Sequence, residues 1–367
     1  MFFYKLNMSD LRMDSIYMTR CLQLAANGKS TCSPNPMVGA VVVHQGRIIG
    51  EGWHRKAGEP HAEPNAIYSV KNQELLKEST LYVSLEPCSH YGKTPPCADL
   101  IIEKGIPRVV IGCLDVFPLV SGRGESKLRA AGIDVTVGVE EAACLNMNKH
   151  FFLFHNLKRP YIILKWAQTA DGFMDILRKP GDLKTPLKIS TPFTQMLTHK
   201  IRSECDVILV GTNTALLDNP SLNLRFWPGK HPVRAVLDRQ IILPEGSALL
   251  NDEIPTLIFT EKPPKKCGKI SWIQLDYGDD PIKQLLHELY RRNLQTLLVE
   301  GGAKMHQSFL KAGLWDEIHI ETSTQYAGEG IAAPDLSGIA VSSQEITEFD
   351  TGVNYRKIQT FHSSALL

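Results

Sequence analysis

The chain has no excess of charge of either sign: 40 lysines and arginines stand against 39 aspartates and glutamates, a formal net charge of +1. The global basic field through which a protein grips a phosphate backbone is therefore missing, so no nucleic-acid partner is expected. Each cation has to be weighed by itself. No apolar stretch approaches the ~20 residues that cross a bilayer, and Met1 to Ser15 has aromatic residues but no run of signal length. No membrane partner is expected, and a reducing cytoplasm is the expected location. The eight cysteines are scattered through 367 residues, with none of the density of a secreted disulfide framework. Short repeats and low-complexity tracts are also missing. The length suggests two domains.

What is present is concentrated between His61 and Cys97. His61-Ala62-Glu63 opens this stretch, and Pro87-Cys88 followed by Cys97 closes it. One imidazole and two thiolates supply three soft ligands, and a catalytic zinc site uses three protein ligands with water in the fourth place. Glu63, two residues from the histidine, is placed to handle that water's protons. H-x-E with a later P-C and a further cysteine is the zinc-deaminase pattern. A closed structural site would need a fourth soft ligand, and only His90 is near. The segment Thr80–Leu85 reads as a buried strand that delivers Cys88. Cys97 begins a helix stopped by Gly105, where the helix dipole favours a thiolate.

Eight residues separate Cys88 from Cys97, whereas nucleic-acid and cytidine deaminases generally place two between their cysteines. The inserted loop brings His90 and Lys93 beside the metal. They are either exposed loop residues or contacts to a substrate's ring or phosphate.

Along the chain, residues 1–13 show no pattern and read as a flexible extension. Asp14 reads as the cap of a helix running to about Asn27. Strands at 38–43 and 48–53 form a hairpin leading to the zinc segment. Pro64 is tolerated in a first helical turn and so supports a helix start at His61. Strands at 108–112 and 134–137 alternate with helices, which argues for an α/β sandwich with a largely parallel sheet. A connecting helix is expected from Glu140 to about His155. Arg159-Pro160 then punctuates the chain, giving domains at 14–156 and 157–367. The second repeats the alternation, with strands near 161–167, 206–211, 233–238, 255–260, 270–275, 296–300 and 317–323. Its helices include one from Pro192 capped by Thr191 and one from Pro281 capped by Asp280. The polar segment 178–188 reads as a mobile loop.

The second domain offers Arg202 and Arg225 as phosphate ligands, since guanidinium matches phosphate oxygens in pairs; each could equally be a solvated ion pair. Glu300-Gly301-Gly302-Ala303 follows a strand and precedes a helix. Such glycines can let backbone amides approach a phosphate, or can be a plain tight turn. G-x-G-x-x-G is absent, so this is no Rossmann fingerprint.

Taken together, these segments resemble the RibD family of bifunctional deaminase–reductases of riboflavin biosynthesis. The likeness is carried by Pro34-Asn35-Pro36-x-Val38-Gly39, by Gly58-Glu59-Pro60-His61-Ala62-Glu63, and by the run from Leu85 through His90-x-Gly92-Lys93 to Cys97. In the second half it continues through Lys165 to Gly172, Gly211-Thr212-x-Thr214 and Asp218-Asn219-Pro220-x-Leu222-x-Leu224-Arg225. It implies a cytidine-deaminase-like α/β/α domain followed by a dihydrofolate-reductase-like α/β domain. The first would hydrolyse the 2-amino group of a diaminopyrimidinone bearing a ribosylamino 5′-phosphate. The second would reduce the ribosyl chain to ribityl with NADPH.

The resemblance implies one Zn2+ per chain on His61, Cys88 and Cys97, with Glu63 catalytic. It places Asn35, His54, His90, Lys93 and Asp115 against the deaminase substrate. Arg202, Leu222, Arg225 and Glu300 would contact the reductase substrate, with Lys165 and Ser190 near the hydride-transfer point. Gln168, Thr214, Asp218 and the turn Gly301, Gly302, Ala303 would hold the cofactor. It also suggests a homodimer through the reductase half. Three departures stand out: Phe117 in place of the usual asparagine, Lys188-Ile189-Ser190-Thr191 where Trp-Ile-Thr is usual, and Pro64 after the His-Ala-Glu triplet. Two rivals remain open: a nucleic-acid base deaminase, which the neutral charge disfavours, and a non-catalytic protein whose zinc merely braces the loop.

Overall fold

A computed structural model describes residues 8–91, 95–116, 122–178, 185–349 and 352–360. The chain divides into two compact units, with the break between Leu157 and Lys158.

In the first unit α1 (Met8–Ala25), β1 (Gly39–His44), β2 (Arg47–Trp53), α2 (Ala62–Ser69), β3 (Thr80–Leu85) and α3 (Cys97–Glu103) come in order. They are followed by β4 (Arg108–Cys113), α4 (Arg123–Ala130), β5 (Asp134–Val137), α5 (Glu141–Met147) and α6 (Lys149–Leu157). The five strands lie in the order β2-β1-β3-β4-β5. β3, β4 and β5 run parallel, while β1 is antiparallel to both its neighbours. Alternation along the strands sorts the side chains into two cores. Val42, Val83 and Ile111 pack with Ala66, Ile67 and Ile101 of α2 and α3. Val41, Tyr82 and Val110 pack with Met18 and Cys21 of α1 and with Phe152 of α6. The result is three layers, α/β/α. β2 lies so close to α2 that a Cβ on Gly52 would fall 2.3 Å from the Ala66 nitrogen.

Two details differ from the expected elements. The first helix begins at Met8, not at Asp14. Asp14 caps nothing, because its buried carboxylate accepts from the Tyr82 hydroxyl at 2.7 Å and from Arg108 at 2.7 Å. The single helix expected over 140–155 is two, broken at Asn148. There the Asn148 amide bridges the N–H and the carbonyl of Met37, each at 2.8 Å.

The second unit starts with β6 (Tyr161–Gln168), β7 (Phe173–Asp175), α7 (Pro192–Ser203), β8 (Val207–Gly211), α8 (Thr212–Asp218), β9 (Val233–Leu237) and β10 (Thr256–Thr260). It continues with β11 (Lys265–Cys267), β12 (Ile270–Gln274), α9 (Pro281–Arg291), β13 (Thr296–Val299), α10 (Ala303–Lys311), β14 (Glu317–Thr322), β15 (Ile331–Ala332), β16 (Ser343–Glu348) and β17 (Asn354–Gln359). Ten strands form one sheet in the order β11-β12-β10-β9-β8-β13-β6-β14-β17-β16. Its centre is parallel and its margins antiparallel. One face buries Leu164, Trp166, Leu209 and Phe259 against Leu285 and Leu289 of α9 and Phe309 of α10. The β16–β17 pair and the short β7–β15 pair had no counterpart among the expected strands.

Candidate active sites

The first site sits where the parallel strands of unit one end. His61 is the N-cap residue of α2, and Glu63 lies in that helix's first turn. Cys88 follows β3, and Cys97 is the first residue of α3, so three elements each deliver one ligand. The ligand atoms of His61, Cys88 and Cys97 all lie within 4.8 Å of one another. His61 Nδ1 stands 3.7 Å from the Cys88 sulfur and 3.4 Å from that of Cys97. Tetrahedral zinc with S and N ligands at ~2.3 and ~2.0 Å spaces them by about 3.5 Å, so the triangle fits the ion. The Cys97 backbone N–H donates to the Cys88 sulfur at 3.3 Å.

The electrostatics suit a metal. The Cys97 thiol, with help from His61, holds the Cys88 thiol below its usual range. His61 is pushed up to about 9, chiefly by Cys88. Both shifts favour a thiolate beside the imidazole, the form in which sulfur binds a cation. Burial raises the Glu63 carboxyl to about 7, against the pull of His61. Glu63 is 3% exposed, and its charge helps to raise the Cys97 thiol.

Beside the triangle, the His54 and His61 rings meet edge to face at 5.4 Å. His54 Nδ1 is 3.1 Å from the Pro60 carbonyl, which can only accept, so Nδ1 carries the proton. Its Nε2 then accepts from the Asn35 amide at 3.1 Å. Asn35 and His54 therefore stand together next to the metal ligands. His90 is exposed, and Asp115 is partly buried just beyond β4. Lys93 and Phe117 lie outside the described residues.

In unit two a cavity of about 690 Å³ opens beyond the carboxyl ends of β6, β8, β9 and β13, where open α/β sheets hold ligands. Lys165, Ser190, Thr214, Asp218, Glu300 and the Gly301–Ala303 turn line it. The N-terminus of α10 faces this space, with Gly302 as N-cap, and an added Cβ there would come within 3.5 Å of the Thr214 hydroxyl. Backbone N–H groups and Lys304 at this end form a cradle for an anion. Asp218 is raised by burial, and further by Asp175.

Gln168, Arg202, Leu222 and Arg225 are not among the cavity's lining residues. Gln168 accepts from the Trp166 indole at 2.9 Å. Leu222 is buried with φ +45°, a conformation costly for a leucine. Arg202 stands against Glu300. It is a paired cation, bonded to both Glu300 oxygens at 2.8 and 2.6 Å, and its remaining NH1 reaches the Asn223 carbonyl.

Two further residues carried no signal in the sequence. Glu321 is fully buried and accepts from Ser190 at 2.8 Å and Thr194 at 2.6 Å, with Lys165 at 3.7 Å. His199 Nδ1 accepts the Arg225 backbone N–H at 3.1 Å. Burial, then Arg202 and Arg225, push His199 down to about 4, so it is neutral at pH 7.

An α/β/α unit with a His-Cys-Cys triangle and a buried glutamate defines a zinc-binding deaminase domain, here joined to a second α/β unit with its own ligand cavity. Residues 11–113 match the cytidine and deoxycytidylate deaminase zinc-binding region, and residues 160–355 match the RibD C-terminal domain. The riboflavin biosynthesis protein RibD of Aquifex aeolicus is 43% identical over 329 residues, covering 88% of this chain and 90% of that protein. The protein of the same name from Synechocystis is 36% identical over 91% of this chain and 90% of its own length. A crystal structure from Thermotoga maritima, described as a diaminohydroxyphosphoribosylaminopyrimidine deaminase/5-amino-6-(5-phosphoribosylamino)uracil reductase, superposes with TM-score 0.84 and 35% identity. It covers 96% of this chain and 99% of that one. The chain belongs to the RibD family, the bifunctional deaminase–reductases of riboflavin biosynthesis. Among the described residues no helix is long and apolar enough to cross a membrane.

Proposed function

We propose that this chain deaminates 2,5-diamino-6-ribosylamino-4(3H)-pyrimidinone 5′-phosphate and then reduces the ribosyl chain of the product with NADPH. The observation that carries the reading is the convergence of His61, Cys88 and Cys97 beside the buried Glu63. Those three residues would hold Zn2+, and the Gly301–Ala303 turn with Gln168, Thr214 and Asp218 would hold NADPH. When bound, zinc makes water acidic near pH 7, and NADPH supplies the hydride.

The chain's own residues do the rest. Glu63 takes a proton from the attacking water and passes it to the ring nitrogen; it then takes the remaining proton of that oxygen, now bonded to carbon, and gives it to the amine, which departs as ammonia while the oxygen becomes the carbonyl. Burial raises the Glu63 carboxyl, which makes it a better proton acceptor than an ordinary carboxylate. The neutral His54 and Asn35, with His90, Lys93 and Asp115, orient the pyrimidine and its phosphate. In the second unit Lys165, Ser190, Leu222, Arg225 and Glu300 seat the sugar phosphate. Arg202 joins them, and it also holds the Glu300 carboxylate.

The molecule works in a reducing cytoplasm as a homodimer through its second unit. All eight cysteines being unpaired supports the compartment, and the family resemblance supports the dimer.

Purified protein incubated with the diaminopyrimidine phosphate should release ammonia without NADPH, and should oxidise NADPH only after deamination. Glu63→Gln should keep its zinc and lose ammonia release, while still oxidising NADPH on substrate deaminated beforehand. Ammonia release by the zinc-replete variant would refute the role given to Glu63. Failure of the wild type to oxidise NADPH on deaminated substrate would remove the reductive half.

A further inference from the structure

Glu86 immediately precedes the Pro87–Cys88 turn, and the chemistry above gives it no part. Its side chain is 4% exposed, and a buried carboxylate is costly unless its oxygens are bonded. Oε2 accepts from the backbone N–H of Asp115 at 3.1 Å and of Gly122 at 3.0 Å. Oε1 accepts from Gly124 at 2.8 Å and Glu125 at 3.2 Å. Four backbone dipoles thus hold one anion.

Their positions matter more than their number. Asp115 leaves the end of β4, whereas Gly122, Gly124 and Glu125 form the cap and first turn of α4. One side chain therefore clasps both ends of the strand-to-helix connection, and it is one proline away from a metal ligand. Two more contacts lock the same junction. The Glu86 N–H donates to the Cys113 carbonyl at 3.0 Å. A Cβ on Gly124 would fall 2.0 Å from the Pro87 carbonyl oxygen, so α4 starts directly against the turn that presents Cys88.

We infer that Glu86 is a positioning residue for deamination: it fixes the end of β4, Asp115 included, and the start of α4 relative to the Cys88 corner of the metal site. This rests on the reading of the first unit as a pyrimidine deaminase with Asp115 at its substrate. The carboxylate touches no substrate and acts only through the backbone it holds.

The test uses the full-length, zinc-loaded protein and the Glu86→Gln variant. Glutamine keeps the shape, but its NH2 faces two N–H donors, so two of the four bonds are lost. Zinc content and NADPH oxidation on deaminated substrate should equal those of the wild type. The deaminase KM should rise about tenfold or more with a smaller change in kcat, since small displacements of a binding group cost affinity steeply. Glu86→Asp, which keeps the charge on a shorter arm, should fall between them and serves if glutamine prevents folding. Asp115→Asn should also raise KM, and the double variant should lose no more than the worse single one. An unchanged KM in Glu86→Gln, or losses that multiply in the double variant, would overturn the inference. If Asp115→Asn keeps a normal KM while Glu86→Gln raises it, the substrate role of Asp115 fails and the positioning role stands. A wild type that releases no ammonia from this substrate would instead remove the reading underneath.

Discussion

Arg202 and Glu300 face each other with side chains only 13% and 12% exposed, joined by two parallel hydrogen bonds. Burial by itself would raise the Glu300 carboxyl; the Arg202 charge and its hydrogen bonds, with Lys165 and His199, bring it below its ordinary 4.5. A carboxyl depressed in the folded state stabilises fully above its unfolded value and loses that contribution as pH falls through the folded value. Arg202→Met leaves a buried charge without a partner and should cost about 3–5 kcal/mol. Arg202→Met with Glu300→Gln should cost less than the first change alone, because no bare charge remains. Urea denaturation at pH 7 measures both, and equal losses in the single and double variants would contradict the pairing. The same titration repeated below pH 4.5 should show the wild-type advantage shrinking. The two residues could be picked out of the sequence one at a time, but their mutual bond could not, since 98 positions separate them. Glu321 was hidden for a related reason. It alternates with Ile318 and Ile320 along β14 and so reads as a solvated face, yet Ser190 and Thr194 cover that face.

Helix ends were the most legible elements where cap and proline coincide. Thr191-Pro192 and Asp280-Pro281 open α7 and α9 as the capping rules require, and both side chains accept the N–H groups those rules assign. The same rule failed at Asp14, because a tertiary partner outbid the local one and Arg108 and Tyr82 took the carboxylate. The β16 strand was illegible for another reason: all six of its residues are exposed, so it shows no apolar alternation and is held by pairing with β17. In the first site the reverse holds, since the three candidate ligands, the carboxylate proposed to carry protons and their strand-to-helix context sit within 37 consecutive residues, His61 to Cys97. A cap also borders the second cavity at α9. Asp280 accepts from Ile282 and Lys283 at 3.1 Å each, and Pro281 and Ile282 line the cavity of the second unit. Asp280→Ala should therefore cost about 1 kcal/mol in urea denaturation and should raise the KM for NADPH while leaving ammonia release unchanged. An unaltered KM alongside the lost stability would separate the cap from the cavity.

At the scale of the whole chain, each unit has its own sheet and its own core: Val83 and Ile111 in one, Leu164 and Phe259 in the other. The candidate metal site, His61, Cys88 and Cys97, lies within the first unit alone. Metal binding there requires ordered ligands, so its free energy adds to the folding of that unit and not to the second. Removing zinc with a chelator should abolish ammonia release and lower the unfolding temperature of one transition. NADPH oxidation on deaminated substrate should persist, with the other transition unmoved. Glu63→Gln makes the matched control, because it should lose ammonia release while keeping zinc and both transitions where they are. Calorimetry of the two samples beside the wild type separates loss of chemistry from loss of metal. If chelation shifted both transitions together, or took the reductase activity with it, the two halves would share one folding unit and the division at Leu157 would not be a thermodynamic one.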